Sequence, residues 1–246
     1  MTTNASARRA TAQFRWSRGW ADRAPAGALL TGRAAGNLSL GVGDDAAQVR
    51  ARRQAVLDAT DASTVILPTQ VHGRGVVVVD PHTPDGITAD ALVTREPGIL
   101  LGITVADCVP VILVDAEAGV VGVVHAGRAG MQLDIVGAAV DAMRALGAQQ
   151  LDAVVGPSVC ARCYEVPEDL RAAVMADVPI SASVSRTGTP ALDIAAGVLT
   201  QLHPRVRSID LIPGCTAESP DLFSHRASGG TDGRFAAFCW LGGWRR

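Results

Sequence analysis

Five short apolar runs between residues 64 and 124 constrain the fold of this chain more than any other feature. They cover residues 64–67, 75–79, 99–105, 109–114 and 120–124, and they are rich in Val and Ile. Most of them do not alternate between apolar and polar residues, and turn residues bound them. Runs of this kind are typical of β-strands that are buried on both faces. The sequence therefore predicts interior strands with helices outside them.

The hydrophobic period changes after residue 130, where apolar side chains recur every three or four residues. Leu133, Val136, Val140, Met143 and Leu146 follow this spacing, which predicts an amphipathic helix that ends near residue 147. The rest of the chain predicts helices over about 45–59, 167–176 and 191–202 and strands over 28–31, 151–155, 208–212 and 235–241.

Together these elements predict an α+β fold with a central mixed β-sheet flanked by helices. We expect one catalytic domain over residues 13–246 and a disordered tail over residues 1–12. The chain has 246 residues, of which 48% are hydrophobic, so it is long enough to bury a large core.

The charge balance excludes some classes of partner. The net charge is −2, which gives no electrostatic reason to expect binding to nucleic acid or to an anionic membrane. We find no signal peptide and no apolar stretch long enough to span a membrane, so we expect a cytoplasmic protein with free thiols. The basic residues are all Arg, which excludes lysine-dependent Schiff-base chemistry.

Three residues at the edges of the apolar runs carry metal-binding side chains. His72 interrupts a strand-like region, Cys108 lies between two runs, and His125 closes the run over 120–124. Two imidazoles and one thiolate make three ligands, which is the number that a catalytic zinc site uses while it keeps one position open. The sequence therefore predicts a zinc centre at His72, Cys108 and His125, provided that they converge in space.

Asp107 is an acidic residue in an otherwise apolar stretch beside Cys108. A buried carboxylate without a partner is costly, so we expect Asp107 to have one. Orientation of a metal-bound histidine would supply that partner, and we count Asp107 among the catalytic residues. The competing interpretation is a nucleophile pair in which Cys108 attacks and His125 is its base.

Two glycine-rich segments could hold an anion. Residues 125–130 run from a strand through a glycine turn towards a helix and contain Arg128, and residues 229–234 contain Arg234, with Arg226 nearby. His225 is a possible pocket residue. Arg50, Arg52 and Arg53 are interpreted as a solvated helix face.

Cys160 and Cys163 form a Cys-x-x-Cys motif, but no second cysteine pair follows at the spacing of a zinc ribbon. The surrounding sequence also differs from that of thioredoxin-like proteins. We therefore interpret these two cysteines as packing residues.

The ordered motifs of the chain resemble one family, the zinc-dependent purine nucleoside phosphorylases formerly described as laccase-like multicopper polyphenol oxidases (YfiH-like proteins). The resemblance covers nearly the whole chain from Asn37 to Trp240. The segments that carry it are Asn37-Leu38, Gly43-Asp44, Gln70-Val71-His72-Gly73, Asp90-Ala91-Leu92-Val93-Thr94, Ala106-Asp107-Cys108-Val109-Pro110, His125-Ala126-Gly127, Gly156-Pro157, Cys163-Tyr164-Glu165-Val166, Cys215-Thr216, Phe223-Ser224, Arg226 and Gly233-Arg234.

The resemblance implies that His72, Cys108 and His125 bind one catalytic zinc. It implies phosphorolysis of adenosine, inosine, guanosine and methylthioadenosine, together with adenosine deamination at the same site. It also implies an α+β fold likened to toxin-type cysteine hydrolases. Within this framework we expect Asn37, Arg128, Arg226 and Arg234 to bind the nucleoside and phosphate.

The chain departs from the family pattern at two places. Arg128-Ala129 replaces the usual Trp-Arg after His-Ala-Gly, and His225 replaces the usual Tyr after Phe-Ser. These departures concern the substrate side of the site and leave the three metal-ligand positions intact.

Three other functions compete with the phosphorylase, and one of them, a non-enzymatic role as a division or cell-wall partner, has no support in the sequence. A cysteine hydrolase or amidase that edits cell-wall peptide precursors would use Cys108 and His125. Copper-dependent phenol oxidation needs more ligands than four Met and five His offer, so we do not expect copper. The expected assembly is a monomer or a small homo-oligomer.

Overall fold

The computed structural model describes residues 14–21, 25–84 and 86–245, and the predicted tail over residues 1–12 lies outside them. The helices are α1 (Ala46–Leu57), α2 (Arg128–Gln132), α3 (Ile135–Ala145), α4 (Glu168–Asp177) and α5 (Ile194–Leu202), with 3-10 turns at Arg33–Ala35 and Pro179–Ser181. The strands are β1 (Phe14–Trp20), β2 (Ala26–Thr31), β3 (Thr64–Ile66), β4 (Val76–Val78), β5 (Ala91–Thr94), β6 (Ile99–Val105), β7 (Val109–Asp115), β8 (Val120–Ala126), β9 (Asp152–Val155), β10 (Ala182–Val184), β11 (Pro190–Leu192), β12 (Ser208–Leu211) and β13 (Phe235–Leu241).

The strands form two large mixed sheets and one small one. The first sheet has the order β1-β2-β13-β6-β3, the second has the order β12-β9-β7-β8-β5-β4, and β10 pairs with β11. Parallel pairs join β3 to β6, β4 to β5 and β9 to β12, and the other pairs are antiparallel. The α+β class is confirmed, but the prediction of one central sheet is wrong.

The two large sheets pack face to face, which explains why the apolar runs do not alternate. Leu101 and Ile103 of β6 share one core cluster with Ile112 of β7 and Val123 of β8. Side chains on neighbouring positions of a strand point to opposite faces, so the remaining apolar residues of these strands face outward from this layer. Each central strand therefore needs a second apolar layer on its other face.

Helices supply those outer layers. Leu113 of β7 packs in a cluster with Val140 of α3 on the far face of the second sheet. Phe238 of β13 packs with Val56 of α1 on the far face of the first sheet. The molecule is thus built as helix, sheet, sheet and helix layers, and the predicted burial of the central strands on both faces is confirmed.

Two helix predictions need comment. Asp45 caps α1 by accepting hydrogen bonds from the N–H groups of Ala47 and Gln48, as expected of an acidic residue at a helix start. The segment after residue 127 forms two helices, because Asp134 adopts a left-handed conformation with φ of 55° and starts α3 with its own carboxylate cap. Strands β1, β5, β10 and β11 were not predicted. No helix in the described part of the chain has the length and apolar character needed to cross a membrane.

Candidate metal centre

The three predicted metal ligands converge where two interior strands of the second sheet meet, at the start of β7 and the end of β8. Because β7 and β8 are antiparallel, with Val109 opposite Ala126, the residue before β7 lies beside the end of β8. One ligand atom from each of His72, Cys108 and His125 lies within 4.8 Å of the other two. The Cys108 Sγ is 3.7 Å from His72 Nε2, and the two imidazole rings meet edge to face with centroids 4.7 Å apart.

His72 reaches these strand ends from the turn between β3 and β4. Its backbone is left-handed, with φ of 58°, a conformation that non-glycine residues adopt rarely and often at functional sites. The neighbouring Gln70 side chain pairs with the backbone of Thr104 in β6, with hydrogen bonds of 2.8 Å in both directions. This pairing fixes the start of the turn that presents His72.

The Asp90 carboxylate, which sequence reasoning missed, supports two of the three ligands. The His125 Nδ1–H donates to Asp90 Oδ1 at 2.8 Å, which leaves Nε2 free for a metal. The backbone N–H groups of His72 and Gly73 donate to the same carboxylate at 2.9 and 2.7 Å. Asp90 is fully buried and precedes β5, so the signal that drew attention to Asp107, an acid beside an apolar run, was present here too.

Asp107 has a different role from the predicted one. Its carboxylate accepts hydrogen bonds from Thr216 Oγ1 at 2.6 Å, from Ser224 Oγ at 2.7 Å and from the Arg226 backbone N–H at 2.7 Å. The prediction that it orients a histidine is therefore wrong, since Asp90 holds that position. Asp107, which directly precedes Cys108, instead ties the segment over residues 216–226 to the start of β7.

Gly127 is required for space at the centre. A Cβ atom at this position would lie 2.6 Å from His72 Cδ2 and 3.2 Å from Cys108 Sγ. Its φ of −75° is open to any residue, so the requirement is steric rather than conformational. The chain therefore passes directly beneath two ligands as it leaves β8 for α2.

The electrostatics favour an ionised Cys108. Burial opposes ionisation of the thiol, but hydrogen bonds and charge interactions with His125 and then His72 outweigh it and lower the pKa of Cys108 to about 6. Burial likewise opposes the charging of His125, yet its contacts with Asp90 and Cys108 raise the His125 pKa to about 9. A thiolate is the form that binds metal or attacks an electrophile, so both predicted chemistries remain open to this geometry.

The centre lies in the wall of a cavity of about 1080 Å³. Among the described residues that line this cavity, Asp107 is the one acidic residue, and five are arginines, namely Arg50, Arg53, Arg128, Arg226 and Arg234. A concave site of this size with a strong positive field suits an anionic ligand or co-substrate. Arg50 is exposed, as predicted for a solvated helix face, whereas Arg53 is half-buried and donates to the Leu38 carbonyl at 2.9 Å, and Arg52 pairs with Asp44.

The three arginines expected to bind phosphate are all part of this lining. Arg128 donates to Gln132 Oε1 at 2.7 Å, and the Arg226 guanidinium stacks 4.7 Å from the centre of the Tyr164 ring. Arg234 lies 3.2 Å from His225 Nδ1, so His225 also belongs to the pocket. The cavity lining thus combines three segments that are distant in the sequence, around Arg128, around Tyr164 and over residues 225–234.

Asn37 lies outside the cavity lining. Its amide donates to the Ser39 carbonyl at 2.8 Å and to Asp44 Oδ2 at 3.2 Å, and its Oδ1 accepts from the Ser39 and Arg234 backbone N–H groups. These contacts use its donors and its acceptor, so Asn37 positions the backbone of Arg234 instead of facing a ligand.

The donor set fits a metal such as zinc. Zinc binds imidazole nitrogen and thiolate sulfur, and catalytic sites use three protein ligands. The lowered pKa of Cys108 supplies the thiolate, and the Asp90 contact fixes the His125 ring with Nε2 available. The fit therefore rests on ligand type, ligand number and the buried carboxylate behind one histidine.

Several known proteins are similar to this chain in sequence or in structure. A family model described as multi-copper polyphenol oxidoreductase laccase matches residues 27–242. The chain is 47% identical over 216 residues to the purine nucleoside phosphorylase ORF3 of Streptomyces griseus, which covers 84% of this chain and 87% of that protein. It is 38% identical over 149 residues to the adenosine deaminase RL5 from an unknown prokaryotic organism, covering 54% and 56%. The crystal structure of Neisseria meningitidis protein NMB0706 is similar with a TM-score of 0.80 at 26% identity, covering 94% of this chain and 100% of that one.

Proposed function

The chain belongs to the multi-copper polyphenol oxidoreductase laccase family, and from this membership and its curated relatives we propose that it is a purine nucleoside phosphorylase. The proposed substrates are adenosine, inosine, guanosine and methylthioadenosine, which phosphate would cleave to the free base and a sugar phosphate. This product is ribose 1-phosphate for the first three substrates and methylthioribose 1-phosphate for the last. Adenosine deamination at the same site is part of the proposal, in view of the similar adenosine deaminase.

One observation carries the proposal, namely that His72, Cys108 and His125 converge in the wall of an arginine-lined cavity. We propose that these three residues hold one zinc ion and not copper, because a multicopper oxidase needs more ligands than the four Met and five His of the chain offer. When bound, zinc supplies Lewis acidity at this end of the cavity.

The residues of the chain would supply substrate binding and orientation. Arg128, Arg226 and Arg234 would hold phosphate, since a guanidinium presents paired N–H donors that match phosphate oxygens. Apolar side chains in the same lining, such as Leu40 and Leu67, would receive the purine base. Positioning phosphate and nucleoside together accounts for a large share of the catalysis that such a bimolecular reaction needs.

The proposal is tested by measuring base release from adenosine and inosine, with and without phosphate, alongside metal content. We expect phosphate-dependent release and a zinc requirement, both lost in Cys108→Ala. Base release that is independent of phosphate and of metal would contradict the proposal. Unchanged phosphate KM in Arg128→Ala, Arg226→Ala or Arg234→Ala would remove that arginine from the phosphate site.

A second candidate is a cysteine hydrolase or amidase. It is favoured by the position of the His125 ring between the Asp90 carboxylate and the Cys108 thiol. A carboxylate that holds a histidine beside a thiol is the arrangement of a cysteine nucleophile and its base. Hydrolysis of a peptide-like amide by metal-free protein, with inactivation by alkylation of Cys108, would favour it over the phosphorylase.

A further inference from the structure

We propose that Cys160, Cys163, Cys215 and Glu218 form a second metal site, which binds zinc in a structural role. Their ligand atoms, three sulfurs and one carboxylate oxygen, all lie within 4.8 Å of one another. This group is separate from His72, Cys108 and His125 and shares no residue with it. A tetrahedral zinc with bonds of about 2.3 Å places its sulfurs about 3.8 Å apart, so the four atoms are close to the required spacing.

Two turns with the same backbone pattern present the four ligands. In the first turn, the N–H groups of Cys163 and Tyr164 both donate to the Cys160 carbonyl, at 2.9 and 3.1 Å. In the second turn, the N–H groups of Glu218 and Ser219 both donate to the Cys215 carbonyl, at 3.1 and 2.9 Å. Each turn therefore offers ligands three residues apart, as Cys-x-x-Cys and as Cys-x-x-Glu. This paired spacing is the usual way in which short loops hold structural zinc.

The two turns are already joined by the backbone. Ser158 and Cys215 form a parallel β-bridge, in which the Thr216 N–H donates to the Ser158 carbonyl at 3.1 Å. The Cys160 N–H donates to the Cys215 sulfur at 3.4 Å. The ligands thus face one another without rearrangement of the chain.

The charges around the cluster suit a thiolate-bound cation. Arg186 donates to Cys163 Sγ at 2.9 Å and pairs with the Glu218 carboxylate. On zinc binding, the three thiols would release their protons to solvent, because the thiolate is the form that coordinates metal. Zinc and the Arg186 guanidinium would together offset three of the four negative charges of the ligands, and Arg186 would act as an outer partner of the site.

The position of the cluster indicates what the metal would hold together. Val159 and Tyr164, which flank the first turn, line the large cavity, and Arg226 follows the second turn and lines it too. A metal that clamps the two turns would fix this wall of the cavity. A set of four protein ligands leaves no open position, which is the mark of a structural rather than a catalytic zinc.

The first test counts zinc in purified protein that has been dialysed under reducing conditions. We expect the wild type to hold two zinc ions per chain, and Cys215→Ser and Cys108→Ser to hold one each, as expected for independent sites. Cobalt substitution adds a spectroscopic readout, because the Cys108→Ser protein should keep the thiolate-to-cobalt absorption of Cys160, Cys163 and Cys215. A wild type with one zinc, lost entirely in Cys108→Ser, would overturn the proposal.

The second test needs no variant and so does not depend on the folding of Cys215→Ser. Native wild-type protein is treated with an alkylating reagent with and without a zinc chelator, and the modified cysteines are identified by peptide mass spectrometry. After an exposure long enough for even the slow Cys163 thiol to react, Cys160, Cys163 and Cys215 should be alkylated only in the chelator-treated sample, whereas Cys239, which is fully buried in the core, should stay unmodified in both samples. Equal alkylation of the three cysteines in both samples, or a disulfide between two of them in the zinc-loaded protein, would contradict a metal site.

Discussion

The two ligand groups of this protein differ in the way that catalytic and structural metal sites differ. The proposed catalytic group, His72, Cys108 and His125, offers three ligands at strand ends and a turn, and it faces the arginine-lined cavity. The proposed structural group, Cys160, Cys163, Cys215 and Glu218, offers four ligands on two tight turns. Three ligands leave a position for substrate, whereas four close the site.

The surroundings of the two groups differ as well. A fully buried carboxylate, Asp90, supports the catalytic group through the His125 ring and the backbone of His72. The half-exposed Arg186 supports the proposed structural group from solvent. Buried contacts thus position the side chains of the proposed catalytic group, whereas the proposed structural group relies on its own four ligands.

The largest effect is expected from Gly127→Ala. The added Cβ would meet His72 Cδ2 at 2.6 Å and Cys108 Sγ at 3.2 Å, so two ligands must move. Since loss of an outer partner of a metal ligand already costs about 10–100-fold, we expect displacement of two ligands to lower kcat/KM for base release by more than about 100-fold. The zinc content of the catalytic group should fall, while that of the proposed structural group should stay constant.

The matched control for Gly127→Ala is Gly75→Ala, where a Cβ would make only an ordinary contact of 3.9 Å with Ala89. This variant should keep wild-type activity. Wild-type zinc content and activity in Gly127→Ala would show that the centre is more adaptable than its packing indicates.

The next effect compares the outer partners of the two groups, Asp90→Asn and Arg186→Gln. The Asp90 carboxylate accepts hydrogen bonds from His125, His72 and Gly73, and the NH2 group of an asparagine would face these donors without being able to accept from them. We expect Asp90→Asn to lower the zinc affinity of the catalytic group by about 10–100-fold. Arg186→Gln should change the affinity of the other group by less than about fivefold, because exposed ion pairs contribute about 0–1 kcal/mol.

Zinc affinity in both variants is measured by competition with a chelating indicator, with base release as a parallel readout for Asp90→Asn. A larger loss in Arg186→Gln than in Asp90→Asn would reverse the contrast between buried and exposed support.

Sequence reasoning found the catalytic group because its members stand at the ends of apolar runs, where strand pairing brings them together. The runs over residues 99–105, 109–114 and 120–124 correspond to β6, β7 and β8, whose burial on both faces was predicted. The division into two sheets was not predictable, since strand order is set by long-range packing that a run of Val and Ile does not encode.

The missed residues share a physical reason. Asp90 was visible only as part of a motif, because its partners are the backbone of one turn and the ring of a histidine from another strand. Cys215 and Glu218 complete a spacing that begins at Cys160, but the last member is a glutamate and the two turns are far apart in the chain. A search for paired cysteines therefore cannot recognise the second half of the cluster.

Asp107→Asn should have an intermediate effect, because Asp107 connects the two regions. Its carboxylate holds Thr216, next to Cys215, and the backbone of Arg226 in the cavity wall. Hydrogen bonds to a charged group contribute about 1.5–3 kcal/mol, so we expect the phosphate KM to rise about tenfold or more, with a smaller change in kcat. Initial rates at varied phosphate measure this, and Ser224→Ala, which removes one donor to the same carboxylate, should show a smaller rise. A fall in kcat at constant KM would instead give Asp107 a part in the chemical step.

The smallest effect concerns the thiols of the metal-free protein, and it leaves turnover of the loaded enzyme untouched. The pKa of Cys108 is lowered to about 6, because its contacts with His125 and His72 outweigh burial, whereas burial and the neighbouring thiols raise the pKa of Cys163 to about 12. Alkylation needs the thiolate, so its rate at Cys108 should rise with pH through about 6 and then level off, while Cys163 stays slow at neutral pH.

The same experiment in metal-free Asp90→Asn tests the cause of the lowered Cys108 pKa. Without the carboxylate, His125 loses its main stabilising partner as a cation, so its pKa falls and the Cys108 pKa rises. We expect the midpoint of the Cys108 alkylation profile to move up by about one pH unit, which corresponds to about 1.4 kcal/mol of lost interaction. The Cys163 profile should stay in place, because Asp90 does not contact that cluster. A shift of both profiles would mean that the two regions are electrostatically coupled, and an unmoved Cys108 profile would mean that His72 alone stabilises the thiolate.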